Sequence, residues 1–236
     1  MPLLAGPRHG PLPYFLLALT VVTGLVDAVS VLRLGRVFVA NMPGNVVFVG
    51  FALARAPGFS LPASLIALAG FLVGAGAGGW LVTRLAPDRG RLLQATAAIE
   101  LVLFLAATIV AFVSLGRLTA AIYVLAALLA PAMGFQNTIA RRLAVPDATT
   151  TVLTMTLTGI AADFRSGQRG RAVARRLLSV AMMLMGAIVG AVLVLSGHPA
   201  VPLLIATLLA ALVVAGLVIA ARGQPEWRLE PARSAQ

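Results

Sequence analysis

The chain has 236 residues, of which 60% are hydrophobic and 11% charged. Soluble domains carry about 25% charged residues, so a soluble domain of this length is excluded, and no strand-like alternation suggests a membrane barrel. The net charge is +11, but all 18 basic residues are arginines that flank apolar spans; that placement argues against a nucleic-acid partner and for anionic lipid headgroups.

Chemistry is bounded just as tightly. There is no cysteine, which removes disulfides, thiol nucleophiles and thiolate metal sites. His9 and His198 lie far apart, and no HExxH, GxSxG or Walker pattern occurs. No catalytic residue, metal or cofactor is expected, and the chain is read as a non-enzyme. A lone acid such as Asp27 or Glu100 is thin support for intramembrane catalysis.

A helix needs about 20 apolar residues to cross the hydrocarbon core. The first such segment, 13–34, follows Arg8 as a signal peptide would. It contains Asp27 and is followed by no clear small-residue cleavage site, so it is read as a retained span. Five more spans are expected over 61–85, 93–115, 117–141, 174–196 and 199–221. Two shorter apolar segments remain: Val37–Ala54, broken at Pro43-Gly44, and Ala148–Ala162, which holds six threonines. Each is either a full span, giving eight, or a re-entrant half-helix, giving six. With six, 14 arginines fall on the side of the N-terminus and only Arg33, Arg36, Arg55 and Arg117 on the other; with eight, the split is 11 to 7. Cytoplasmic loops carry the positive excess, so six spans with both termini in the cytoplasm of a bacterial inner membrane is the expected arrangement. The tail 222–236 is expected to be a polar, partly disordered cytoplasmic segment with Trp227 at the membrane interface.

The halves resemble each other. Each runs span, polar signature, short apolar segment, then a span with GxxxG: Gly74 and Gly78 in one, Gly186 and Gly190 in the other. Asp27 and Asn137 are 110 positions apart, Gly74 and Gly186 112 apart. The fold class expected is therefore all-α transmembrane: six spans plus two re-entrant or broken half-helices, as an inverted repeat of two three-span halves. The first repeat with its N-terminal tail covers 1–115 and the second 116–221. Such transporters place their sites near the midplane on discontinuous helices. The GxxxG glycines are read as helix packing.

The polar signatures are Gly24-Leu25-Val26-Asp27-Ala28, then Phe38-Val39-Ala40-Asn41-Met42-Pro43-Gly44-Asn45, and in the second half Gly134-Phe135-Gln136-Asn137, then the threonine-rich run ending in Thr158-Gly159. These residues resemble the YoaK-like family of small bacterial integral membrane proteins, over roughly residues 13–221. The chain has Pro43 where the family's Asn-Met-Thr-Gly-Asn run carries threonine, which removes a hydroxyl and stiffens the turn. The resemblance implies a polytopic inner-membrane protein and supplies no substrate, cofactor or catalytic residue.

Each polar residue has two readings. Asp27, deep in the first span, is a costly charge there and so either functional or paired, with Arg33, Arg36 or Asn137 as structural partners. Asn41, Pro43, Gly44 and Asn45 suit the start of a half-helix whose dipole points positive charge inward, or a kinked span. Thr154 and Thr158, on one helical face with Thr151, either line a polar passage or bond back to their own helix. Gln136 and Asn137 either face the first signature or tie helices together. Glu100 is expected to reach the interface near Arg91, about 13 Å along the helix, with a functional role as the other reading. The function expected is transport or channel-like passage of a small polar or anionic solute, through a pathway of Asp27, Asn41, Gly44, Asn45, Gln136, Asn137, Thr154 and Thr158. The alternative is a membrane scaffold or assembly protein, with the polar residues structural and further copies of the chain as partners.

Overall fold

Spans separated by loops of a few residues fold into helical hairpins, and the chain does so. The computed structural model describes residues 10–85, 88–114, 119–143, 157–158, 170–222 and 227. Among the described residues there are seven long helices: α1 (Leu12–Arg33), α2 (Met42–Leu53), α3 (Leu61–Leu85), α4 (Arg89–Ser114), α5 (Ala120–Leu143), α6 (Gly170–Leu195) and α7 (Val201–Ala220). All but α2 are long and apolar enough to cross a membrane, which gives the six spans the composition calls for. At 12 residues, α2 extends only about 18 Å, short of a core about 30 Å thick.

Local chemistry sets the helix ends. α1, α2 and α7 each begin with proline in the first turn, where its missing N–H costs nothing. α1 stops where Gly35 and Arg36 turn to φ +85° and +55°; Arg36 is a non-glycine held in the left-handed region. At the other end of the hairpin α4–α5, Arg89 is buried and donates from Nη2 to the Leu143 carbonyl at 2.9 Å, closing the C-terminus of α5.

Two pairs of helices cross with their backbones in contact. In α1 and α6, a Cβ on Gly24 would overlap the Met183 carbonyl, and one on Gly186 the Val21 carbonyl. In α3 and α5, a Cβ on Gly134 would overlap the Phe71 carbonyl, and one on Gly74 the Pro131 carbonyl. Gly190 and Gly78 continue these seams against Ala28 and Thr138. Lipid supplies no hydrophobic drive between helices, so close approach of small residues is what holds them. The Thr138 hydroxyl adds a bond to the Ala75 carbonyl at 3.2 Å.

These contacts also fix directions. Successive contacts advance together along α1 and α6, and likewise along α3 and α5, so each pair is parallel. α4 and α7 are antiparallel: Gln94 reaches the Leu217 carbonyl at 3.0 Å, and Thr108 bonds Thr207 at 2.8 Å. α4 with α5, and α6 with α7, form antiparallel hairpins. Following these pairs around the bundle, α1, α4 and α6 point one way and α3, α5 and α7 the other.

The apolar interior has two parts. One lies among α1, α3, α4, α5 and α7, around Val22, Phe104, Leu129 and Leu203. The other lies where α1 begins and α5 and α7 end, around Leu12, Leu93, Leu143 and Leu217. Trp227 belongs to the second and stacks on Gly10. It is buried against protein, where Gly10, at φ +48° and without a side chain, leaves room for the indole ring.

Candidate functional site

Asp27 lies on α1, one turn beyond Thr23 and two beyond Thr20, so the three share a face. Its carboxyl is buried and meets the backbone N–H of Ala40, just before α2 begins. Oδ1 has no hydrogen-bond partner. The arginines offered as partners go elsewhere: Arg36 lies over the Phe59 ring at 5.5 Å, and Arg33 is exposed. The break between α1 and α2 thus supplies a backbone donor that a continuous helix would have kept for itself.

Gln136 reaches this face from α5. Its Nε2 donates to the Thr23 hydroxyl at 2.9 Å, while Thr23 donates back to the Leu19 carbonyl at 3.0 Å. Gln136 Oε1 is buried and has no partner. Gln136, from the second signature, thus meets α1 at Thr23, one turn before Asp27 of the first. Thr23 was not singled out in the sequence; its spacing of four from Asp27 was the available signal. Asn137 is half-buried on the same turn of α5.

The rest of the first signature builds the break. Asn45 is fully buried; its Oδ1 accepts the Phe38 N–H at 2.8 Å and its Nδ2 donates to the Phe38 carbonyl. A side-chain amide thus completes the backbone pairing of an irregular segment, a positioning role. Gly44 leaves space for the Phe38 ring, which a Cβ would meet at 2.8 Å. Asn41 stands at the N-cap of α2, but its side chain is exposed and makes no cap hydrogen bond; the bonds of Asn45 hold the turn in its place. Phe38, Phe48, Phe51 and Phe59 stack around α2 with neighbouring centroids 5.1–6.3 Å apart.

Thr154 lies outside the described residues, as does the 148–162 segment apart from Leu157 and Thr158. Those two form a helical turn, and Thr158 is exposed.

Glu100 differs from its expectation. It does not reach the interface: it is completely buried on α4, and neither carboxylate oxygen has a partner. Arg91 instead pairs with Asp88 at 3.5 Å. Glu100 follows Leu93, Thr96 and Ala97 on the inward face of α4, and a helical side chain keeps the facing of its stripe. Among the described residues, no three of His, Cys, Asp and Glu come together as a metal site.

Six apolar spans with polar groups gathered inside them define a polytopic α-helical membrane protein. The chain belongs to the DUF1275 family, described as a protein of unknown function, whose model matches residues 15–216. It is similar to the UPF0700 transmembrane protein YoaK of Bacillus subtilis (strain 168), with 34% identity over 151 residues, 63% of this chain and 64% of that protein. The match thus spans just under two thirds of the relative's length. No solved structure matches the chain.

Proposed function

We propose that this protein is a transporter, or channel-like pathway, for a small polar or anionic solute in the bacterial inner membrane, with no enzymatic activity. The observation that carries the reading is Asp27: a buried carboxyl with a free oxygen, set against the N–H of a helix break and beside the Thr23–Gln136 pair. Polar groups in a span are costly and mark pathways or pairings, and here the pairing is incomplete. Asp27 takes up a proton or meets the solute. The start of α2 and the neighbouring amides replace water around it.

An inverted repeat with re-entrant half-helices is the architecture that goes with this function. Three observations support it. α1 and α3 point in opposite directions although α2 lies between them, so the chain returns to the side it left. α5 and α6 also point in opposite directions. The crossings α1/α6 and α5/α3 use glycines at near-constant offsets, 110 from Gly24 to Gly134 and 112 from Gly74 to Gly186. Taken with the arginine excess, it supports an arrangement with both termini in the cytoplasm. Single cysteines at Pro57, Arg91 and His198, all in exposed positions, test the arrangement. Six spans require Pro57 and His198 to label from outside and Arg91 from inside; eight spans put Pro57 and His198 on opposite faces.

Function is tested in vesicles holding the purified chain and a trapped pH dye, challenged with formate, acetate, chloride and phosphate. The reading requires a solute-dependent internal pH change or solute uptake that Asp27→Asn abolishes while the protein remains folded. A second reading, a membrane scaffold, draws on the Asn45 amide, bonded at both ends to Phe38, and on the Gln136 Nε2 bond to Thr23, which tie segments together. Loss of Asp27→Asn from the membrane, with no flux in the wild type, would favour it. Alternation between facing states further needs a solute that binds one state better than the other, and Asp27 is the group placed to provide that difference.

A further inference from the structure

Glu100 has no place in the pathway above, yet it is the more isolated acid. It is completely buried, and neither Oε atom has a hydrogen-bond partner. Among the described elements α4 packs against α3, α5 and α7, and the charged and titratable groups of those helices are the ones to weigh. α7 has none between Val201 and Ala220. α5 has Tyr123, Arg141 and Arg142, α3 has Arg84, and α4 itself has Arg89 and Arg91.

The Arg89–Leu143 bond sets the register of the α4–α5 hairpin. Eleven residues along from each end, Glu100 stands level with Ala132, about 16 Å from the bond. By the same register Arg141, Arg142, Arg91 and Tyr123 all lie nine or more residues away along the hairpin, about 13 Å. Arg84 lies beyond the turn that joins α3 to α4. Among the described residues of these helices, no cation stands level with the carboxyl.

Gln136, one turn from Ala132 on the inward face of α5, carries the other relevant orphan: Oε1, a buried acceptor without a donor. An ionised Glu100 is acceptor-only and would leave both residues unsatisfied. The acid form owns one O–H donor, the type of group that this acceptor lacks. A buried charge without a partner neutralises instead.

We propose that Glu100 is a proton-binding site inside the bundle, holding its proton in the arrangement described here and exchanging it only when the α4–α5 hairpin opens to water. It serves as a second protonatable group one helix away from the Asp27 face, reached through Gln136. The proposal rests on the membrane-spanning bundle and on the burial of Glu100, and it stands whether or not a solute moves.

The test is infrared spectroscopy of the full chain in lipid vesicles at pH 7, with glutamate labelled in carbon-13. Glu226 and Glu230 are the other two glutamates, and an E226Q/E230Q background leaves Glu100 as the only one. The expected result is a carboxylic-acid carbonyl band that shifts with the label, persists in Asp27→Asn, and exchanges slowly in deuterated water. Glu100→Gln should remove the band entirely and leave the unfolding midpoint unchanged, since the amide has the shape of the acid form. A label that shifts only carboxylate bands at pH 7 would overturn the proposal, and that measurement needs no variant at Glu100. An acid band in vesicles that move no solute would retire the transport reading and leave this one standing.

Discussion

The two backbone crossings, α1/α6 and α3/α5, are built alike and furnished differently. In each, a glycine of one helix sits under a carbonyl of the other, and the partner glycine returns the contact. Beyond the glycine of α1 comes Asp27; at the matching position of α5 comes Asn137. The first crossing continues into Ala28, which makes no side-chain bond; the second continues into Thr138, which bonds the Ala75 carbonyl. The packing repeats and the polar chemistry does not. Close approach constrains shape alone and tolerates no Cβ, whereas the polar positions beside it are free to differ.

The comparison breaks most visibly at the glycines. Gly24→Val and Gly74→Val should each cost on the order of 3 kcal/mol or more, because the new side chain meets backbone that cannot step aside. Both should be read as lost abundance or a lowered unfolding midpoint in detergent. Gly76→Ala, on the same helix as Gly74 with nothing within 4 Å, should be silent. If Gly24→Val falls and Gly74→Val does not, the crossings are unequal and the repeat reading weakens.

Asn45→Ala comes next. It strands the Phe38 N–H and carbonyl beside a buried turn, and should cost about 1–3 kcal/mol. Protease susceptibility near α2, with the spans intact, would report it. Thr108→Val removes the hydroxyl pair joining α4 to α7 and should cost only about 0.6 kcal/mol, seen as a small midpoint shift that Thr207→Val adds little to. Asp27→Asn should have the smallest effect on stability, since the amide keeps an acceptor for the Ala40 N–H, and the largest on flux. Equal losses of stability and flux would make Asp27 a structural residue.

Much of the architecture was legible in the chain. Six apolar runs of sufficient length became six helices, because a backbone in lipid has no partners but its own. The Pro43-Gly44 break became the start of a short helix, since proline is tolerated only in the first turn. The glycine pairs were legible as packing sites from their spacing, but not which helices they join.

The site was only partly legible. Asp27 and Gln136 stand out as polar residues in apolar sequence; Thr23 does not, because a threonine in a span ordinarily bonds back to its own helix, as Thr20 does here. Asn45 looked like a pathway residue, and its bonds to Phe38 are local yet depend on how the chain turns after Arg36. The interfacial expectation for Glu100 rested on distance from Arg91 along the helix, which says nothing about which face the helix turns inward. Sequence alone determined that the chain has six helices apolar enough to cross a membrane, where they lie and where the break at Pro43-Gly44 falls, because hydrophobicity and proline act locally. Tertiary structure decided which breaks meet which carboxyls, which helices run parallel and which acids are left without a partner, because those depend on how whole helices cross.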